Sequence, residues 1–492
     1  MQNMELIKIL RTFSKAEIKE LRKFLISPFI NKNKSVINVF ENLIKYHPEY
    51  RSATLEKEKI FKNLYPTEKY NEKRINLLIH YLGKVINNYL AYKNHFKNRF
   101  NVQLGIVEEK NSRLANFNFK KDIERLIDFE NTSGYSAEDN FYNNFNLNKM
   151  LLTLNQKKEW AKGVKNNEGF GMDKLFSSLS SFYLLNFFKL FIIALNRNQI
   201  YYNKFDLESL KAEFLKTEKS VTEKDELLKI YYLICELHIK DSDPAIYERI
   251  KVIMSDKKDT FHVEDRIFIY NQMRNFCVRL NWKRNPYHKE QFRIIKEQIA
   301  DKPLLKKIFK PLFYINTIKV ALRNEQLKWA HLFIEEHKEF LHESCRKSVY
   351  DLGLALYYYE IKDTERSLMQ ISDTIPDNKL LVYDRKMLET WIYYDLKWND
   401  RLSNHIVSFK QYIKLDKLLS EDRKEMLKIY LIYLFKLLKL RESVGYKRDK
   451  KSMLLFEKLS EEIVKNVIIS KNWLLERVDD LAREKLLKSE LK

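Results

Sequence analysis

Eight glycines and eight prolines in 492 residues leave this chain almost without the chemistry that tight turns require. An average protein carries roughly 7% Gly and 5% Pro. A fold of many strands needs turn residues every few positions, and a phosphate-cradling loop needs glycines in series. Neither can be built from this supply, so the reading is all-α. The chain also exceeds the ~250 to 300 residues at which a single compact core stops growing. It must therefore form several domains or a stack of helical units. Hydrophobic residues at 45% and charged residues at 32% supply a continuous core and a solvated outer face.

Capping signals divide the first third into helices. Ser14 and Glu17 form a capping box ahead of Ile18, Leu21, Phe24 and Leu25, and Ser27-Pro28 stops that run. Val36, Val39, Phe40 and Leu43 mark a second helix that stops at His47-Pro48. A third is capped by Thr54 and stops at Tyr65-Pro66, and Asn71 opens a longer fourth through Ile75, Leu82 and Tyr89. Polar stretches at Asn131–Asn140 and Gly163–Gly171 read as the main loops of the middle region. Asp243-Pro244, Asn285-Pro286, Lys302-Pro303, Lys310-Pro311 and Ile375-Pro376 then punctuate the chain as connections between stacked helices would. The expected organisation is an N-terminal helical module over 1–130, a middle helical-repeat region over 131–300, and repeats with a capping helix over 301–492. That last helix carries Leu474, Val478 and Leu481.

Between Phe313 and Ile413 three helical pairs can be laid over one another. Ala330, Ser367 and Leu402 share a second-helix position, 37 and 35 residues apart. Four residues on come Ile334, Ile371 and Ile406, and nine residues earlier Ala321, Tyr358 and Tyr393. Together with Leu354-Ala355 this resembles a degenerate tetratricopeptide repeat, whose period is about 34 residues and whose small residue lets two helices approach. The usual Trp, Gly and closing Pro are mostly missing. The resemblance implies a helical-hairpin array, an α-solenoid, that works by presenting side chains on a binding surface. Tyr357, Tyr358, Tyr359, Tyr393 and Tyr394 are then contact candidates shared with inter-helix packing. Ser27-Pro28-Phe29, Asn31-Lys32-Asn33-Lys34, Leu64-Tyr65-Pro66 and Lys69-Tyr70-Asn71 resemble the opening of a group of uncharacterised bacterial helical proteins, which implies no activity.

The formal charge of +23 points either to a phosphate-bearing partner or to a coding bias that favours Lys, Asn, Ile and Tyr. The excess is clustered. Residues 84–121 hold eight Lys or Arg against two Glu, residues 279–310 ten against three acidic, and residues 436–451 seven against two. Lys93, Lys97, Arg99, Lys283, Arg284 and Arg293 are the candidate nucleic-acid contacts, with Tyr92, Phe96 and Phe100 at helical spacing as stacking faces. The same spacing describes a buried helical face beneath a solvated one, and that reading is preferred.

The run Leu175–Leu195 contains one charge, Lys189, and is long enough to cross a hydrocarbon core. Lys189 and four serines argue instead for a fully buried helix, so a membrane is not an expected partner. His331, Glu335, His337, Glu339, His342 and Cys345 are the densest potential metal ligands, with Glu339 and His342 placed on one helical face. A di-iron bundle needs a second such pair and a zinc site a second cysteine pair, and the sequence has neither, so no metal or cofactor is implied. No nucleophile elbow, phosphate loop or zincin motif occurs. Three scattered cysteines, Cys235, Cys277 and Cys345, fit a reducing compartment, and charges within the first fifteen residues argue against a signal peptide, so a cytoplasmic location is expected. The favoured function is a non-catalytic scaffold or adaptor that binds a protein or peptide. A nucleic-acid binder is the alternative, and an enzyme of unrecognised type stands behind it.

Overall fold

The computed structural model describes residues 4–50, 55–113, 119–132, 136–162, 171–200, 206–221, 225–240, 243–282, 287–372, 376, 378–443 and 450–490. Helices account for nearly all of them, and no β-strand occurs among the described residues. The chain forms two compact units, one from residues 1–133 and 146–171, the other from 134–145 and 172–492.

The first unit contains α1 (Glu5–Arg11), α2 (Lys15–Ile26), α3 (Lys34–Ile44), α4 (Lys57–Leu64), α5 (Glu72–Lys97), α6 (Arg99–Arg113), α7 (Lys120–Thr132) and the later part of α8 (Ala137–Lys162). The starts are those the side chains specify. Ser14 and Glu17 exchange both bonds of a capping box, and Asn71 accepts from the Arg74 amide. Asn33, not read as a cap in the sequence, opens α3. Thr54 lies outside the described residues. Leu21, Val39, Phe40, Phe61, Leu82 and Ile86 bury their side chains where α2, α3 and α4 pack on α5. The polar stretch after Asn131 is shorter than expected. Helix α7 runs through Thr132 and α8 begins at Ala137, with Ser136 capping it through the Asp139 amide.

The second unit continues with α9 (Met172–Ile200), α10 (Leu207–Lys216), α11 (Glu226–Ile239), α12 (Pro244–Lys257), α13 (Val263–Trp282), α14 (His288–Ala300), α15 (Lys302–Ile308) and α16 (Pro311–Arg323). It ends with α17 (Leu327–His337), α18 (Glu343–Glu360), α19 (Thr364–Ser372), α20 (Lys379–Asp395), α21 (Asn399–Leu415), α22 (Glu421–Ser443), α23 (Lys450–Lys465) and α24 (Lys471–Glu490). Most helices pack against neighbours in the chain: α11 with α12, α13 with α14, α16 with α17, α18 with α19, α20 with α21. Each pair then touches the next, and α22 reaches back to α9.

Three inter-helix turns in this unit are built alike. Glu325, Lys362 and Lys397 take left-handed backbone angles, φ 58°, 68° and 59°. Around each, two amides reach back into the preceding helix. Gln326 donates to the Ala321 carbonyl at 3.0 Å, Asp363 to Tyr358 at 2.9 Å and Trp398 to Tyr393 at 3.0 Å. The left-handed residue itself donates to Leu322, Tyr359 and Tyr394 respectively. This is the Schellman termination, three times, without the glycine that usually relieves it. Five residues beyond each left-handed position stand Ala330, Ser367 and Leu402, all fully buried. The Ser367 hydroxyl donates to the Ala355 carbonyl at 2.7 Å, tying the second helix to the first. Glu325→Gly should therefore stabilise the protein by about 0.5–1 kcal/mol, because glycine removes a left-handed penalty of about 1–2 kcal/mol and gives part of it back as chain entropy. A denaturant melt of the variant measures this, and a loss of stability would show the turn unstrained.

Helix α9 corrects one expectation. It is not fully buried: Leu185, Phe188, Phe191 and Ile192 face the core, while Phe176, Tyr183, Leu190 and Ile193 are exposed. The helix is long and apolar enough to cross a membrane. Its one mid-helix charge, Lys189, is engaged by Asp265 at 3.1 Å and Glu138 at 3.8 Å.

Candidate interaction cleft

A cleft of about 520 Å³ opens in the second unit between α24 and the C-terminal ends of α18, α20 and α22. Two of the left-handed turn residues, Lys362 and Lys397, line it, so the turn geometry fixes the backbone from which their side chains extend, and the Lys397 ammonium lies 3.6 Å from Glu484. Arg441 and Arg477 add two cations, and Asp395, Glu476, Asp480 and Glu484 four carboxylates. Tyr394 and Leu481 supply the apolar lining.

The wall nearest α18 and α20 is a closed polar network. Asp395 accepts from the Tyr359 hydroxyl at 2.7 Å and from Arg477 at 2.9 and 3.1 Å. Trp473 donates its indole N–H to the Tyr359 oxygen at 2.7 Å. Arg477 also bonds Asp480 at 2.9 Å and lies 5.3 Å from the Trp473 ring centre. Burial, and then the Asp395 charge, push the Tyr359 hydroxyl up. Burial works against the Arg477 charge, but Tyr359 and Asp395 together outweigh it and hold the pKa up. Arg441 donates to the Tyr394 carbonyl at 2.7 Å, bonds the Asn399 side chain and covers the Tyr394 ring at 4.1 Å. A cation at the end of α20 meets the negative pole of that helix. The cleft thus presents paired charges of both signs around an aromatic wall, a surface that can hold a polar or charged segment of a partner.

A second polar network lies between α9, α11 and α13. Asn196 donates to Gln272 at 2.8 Å and accepts from Asn275 at 3.0 Å. His238 meets Gln272 at 3.4 Å and Arg279 at 3.3 Å through its two ring nitrogens. Burial first, and the Arg279 charge second, lower the His238 pKa from 6.5 to about 3. The unfolded chain therefore takes up a proton near pH 6.5 that the folded chain refuses. The stability from His238 is complete above that pH and is lost as pH falls through 6.5 toward 3. At pH 5 the loss is about 2 kcal/mol. Urea melts at pH 7.5 and 5.0 should show it, and His238→Gln should flatten the difference while lowering stability at pH 7.5.

The candidate basic residues are divided between the two units, and their local settings differ. Lys93 is paired with Glu20 at 3.0 Å and Glu17 at 3.2 Å, and these bonds, Glu20 first, hold its pKa up. Arg293 bonds Glu290 at 2.7 and 2.8 Å and pairs with Glu297. Lys97 and Arg99 are exposed. Lys283 and Arg284 lie outside the described residues. Of the aromatic partners, Tyr92 and Phe96 are about half exposed and pack with tilted rings 4.4 Å apart, whereas Phe100 is fully buried.

The densest potential metal ligands are placed separately. Glu339 lies in a 3-10 turn, Lys338–Phe340, and His342 caps α18, so the two do not share a helical face as the spacing suggested. Glu335 accepts from Tyr350 at 2.7 Å, and Glu339 pairs with Arg346 at 2.9 Å. No group of three metal-ligating side chains occurs among the described residues. Of the five tyrosines, Tyr359, Tyr393 and Tyr394 are buried, and Tyr357 and Tyr358 are half-buried. The cleft residues Asp395, Arg441 and Arg477 were not legible as a set. The one local signal was Trp473 and Arg477, four apart on a single helical face. Comparison with protein-family models, curated proteins and solved structures finds no match to this chain.

Proposed function

We propose that the second unit is a tetratricopeptide-like array of helical hairpins and that the protein is a scaffold or adaptor holding a protein or peptide partner on it. The observation that carries this reading is the turn geometry recurring at 37- and 35-residue intervals, in register with Ala330, Ser367 and Leu402. A recurring turn with a recurring small or buried contact is how repeat arrays hold successive hairpins at a constant angle. The mixed-charge cleft beside two of those turns supplies a place for a partner.

The test is capture of partners on the immobilised full chain, followed by calorimetry with the purified partner. Saturable binding that Lys362→Glu with Lys397→Glu weakens about tenfold or more, at unchanged melting temperature, supports the reading. Partner binding that ignores both substitutions removes the cleft from it. The competing nucleic-acid reading draws on exposed Lys97 and Arg99, and on a first unit with thirty basic residues against seventeen acidic. Tight binding of generic DNA or RNA with a steep dependence of log affinity on log salt would put that reading first.

A further inference from the structure

The turn between α2 and α3 displays apolar side chains where a folded protein ordinarily hides them. Phe29 is 98% exposed, Ile26 53% and Ile30 36%. The turn is nevertheless held in shape. The amides of Ile30 and Asn31 both donate to the Ser27 carbonyl at 3.0 Å. Asn31 bridges the end of one helix to the start of the next, donating to the Leu25 carbonyl at 3.3 Å and the Asn33 carbonyl at 3.2 Å while accepting from the Asn33 amide at 3.0 Å. Asn33 then caps α3. The sequence builds a fixed knob and leaves its apolar tip in water.

The charges of the knob segment itself are of one sign, and the carboxylates at its two ends, Glu20 and Glu41, are tied to Lys93 and Arg22. From Leu21 to Phe40 there are four cations, Arg22, Lys23, Lys32 and Lys34, and no carboxylate. Arg22 is committed to Glu41 at 2.7 Å, while Lys23, Lys32 and Lys34 are exposed. A convex apolar tip bracketed by lysines suits a surface that offers negative charge outside and hydrocarbon a few ångströms below. We propose that this turn is an anchor for an anionic lipid surface, with Phe29, Ile26 and Ile30 entering the headgroup boundary and Lys23, Lys32 and Lys34 meeting the headgroup charge. Charge complementarity selects this occupant. A protein partner would need a pocket matched to the knob, whereas a bilayer needs only its own layered polarity. The contact is peripheral and independent of the apolar run in α9.

The test is cosedimentation of the full chain with vesicles of phosphatidylcholine alone and with about a third phosphatidylglycerol, at low and physiological salt. Binding confined to anionic vesicles and weakened by salt is expected. Phe29→Ala should reduce it about tenfold, as losing the burial of one large apolar side chain does. Lys32→Glu and Lys34→Glu should each reduce it about fivefold or more. Because all three side chains are exposed, circular dichroism should be unchanged, which separates loss of binding from loss of fold. An environment-sensitive dye on Phe29→Cys, in a Cys345→Ser background, should report an apolar setting only with anionic vesicles. No binding to anionic vesicles at low salt overturns the proposal, as does binding that Phe29→Ala leaves unchanged.

Discussion

Asp265→Ala is expected to lower the unfolding free energy by about 3–5 kcal/mol, the cost of breaking a buried ion pair by removing one partner. Asp265 is 1% exposed and serves three donors at once: the Tyr231 hydroxyl at 2.8 Å, the Lys189 ammonium at 3.1 Å and the Ala137 backbone amide at 3.1 Å. Alanine leaves all three unsatisfied, and Lys189, 17% exposed, keeps a charge with only the more distant Glu138 to answer it. The Ala137 bond ties the start of α8 to α13, so hydrogen exchange at the first turn of α8 should accelerate most. Asp265→Asn keeps an acceptor and loses the charge, and should cost about half as much. Equal losses for the two variants would show that packing, not the ion pair, holds the site.

This knot marks the limit of sequence reasoning. Lys189 was visible as an anomalous charge in an apolar run, and its need for a partner followed from physics. Its partner lies 76 residues away on α13, and no local pattern connects them. Features set within one turn of helix were legible: the Ser14–Glu17 capping box, the stop at Ser27-Pro28 and the start at Pro244. The turns at Glu325, Lys362 and Lys397 were not. Glycine announces a left-handed residue, and here three side chains that disfavour that geometry are held in it by the bonds around them. The basic windows divide in the same way. Arg293 pairs with residues three before and four after it, which spacing alone allows one to see. Lys93 pairs across 76 residues with Glu17, which it does not. Counting charge in a window therefore overstated what Lys93 leaves to a partner, since Glu17 and Glu20 lie outside residues 84–121, whereas the carboxylates that pair Arg293 were inside its own window.

Around Arg477 the long-range logic becomes a measurable coupling. Arg477, 11% exposed, and Asp395, 22% exposed, form a two-point bond between α24 and α20, with Tyr359 of α18 and Trp473 drawn into it. Asp395→Ala takes the two-point acceptor from a mostly buried guanidinium, leaving it the exposed Asp480, and leaves the Tyr359 hydroxyl without its acceptor, and should cost about 3 kcal/mol. Arg477→Ala should cost about 2–3 kcal/mol, because the carboxylate it abandons still accepts from Tyr359. The double variant should cost clearly less than the sum, with a coupling of up to about 3 kcal/mol in a double-mutant cycle. Additive losses would mean the bond contributes nothing beyond packing. Hydrogen exchange should rise along residues 471–484 in either single variant, because the helix that loses its anchor is the one that forms a wall of the cleft. If the cleft holds the partner, these variants should weaken partner binding in proportion to that exposure, while Lys362→Glu with Lys397→Glu weakens binding with α24 still in place. The two sets together separate the shape of the cleft from its charge.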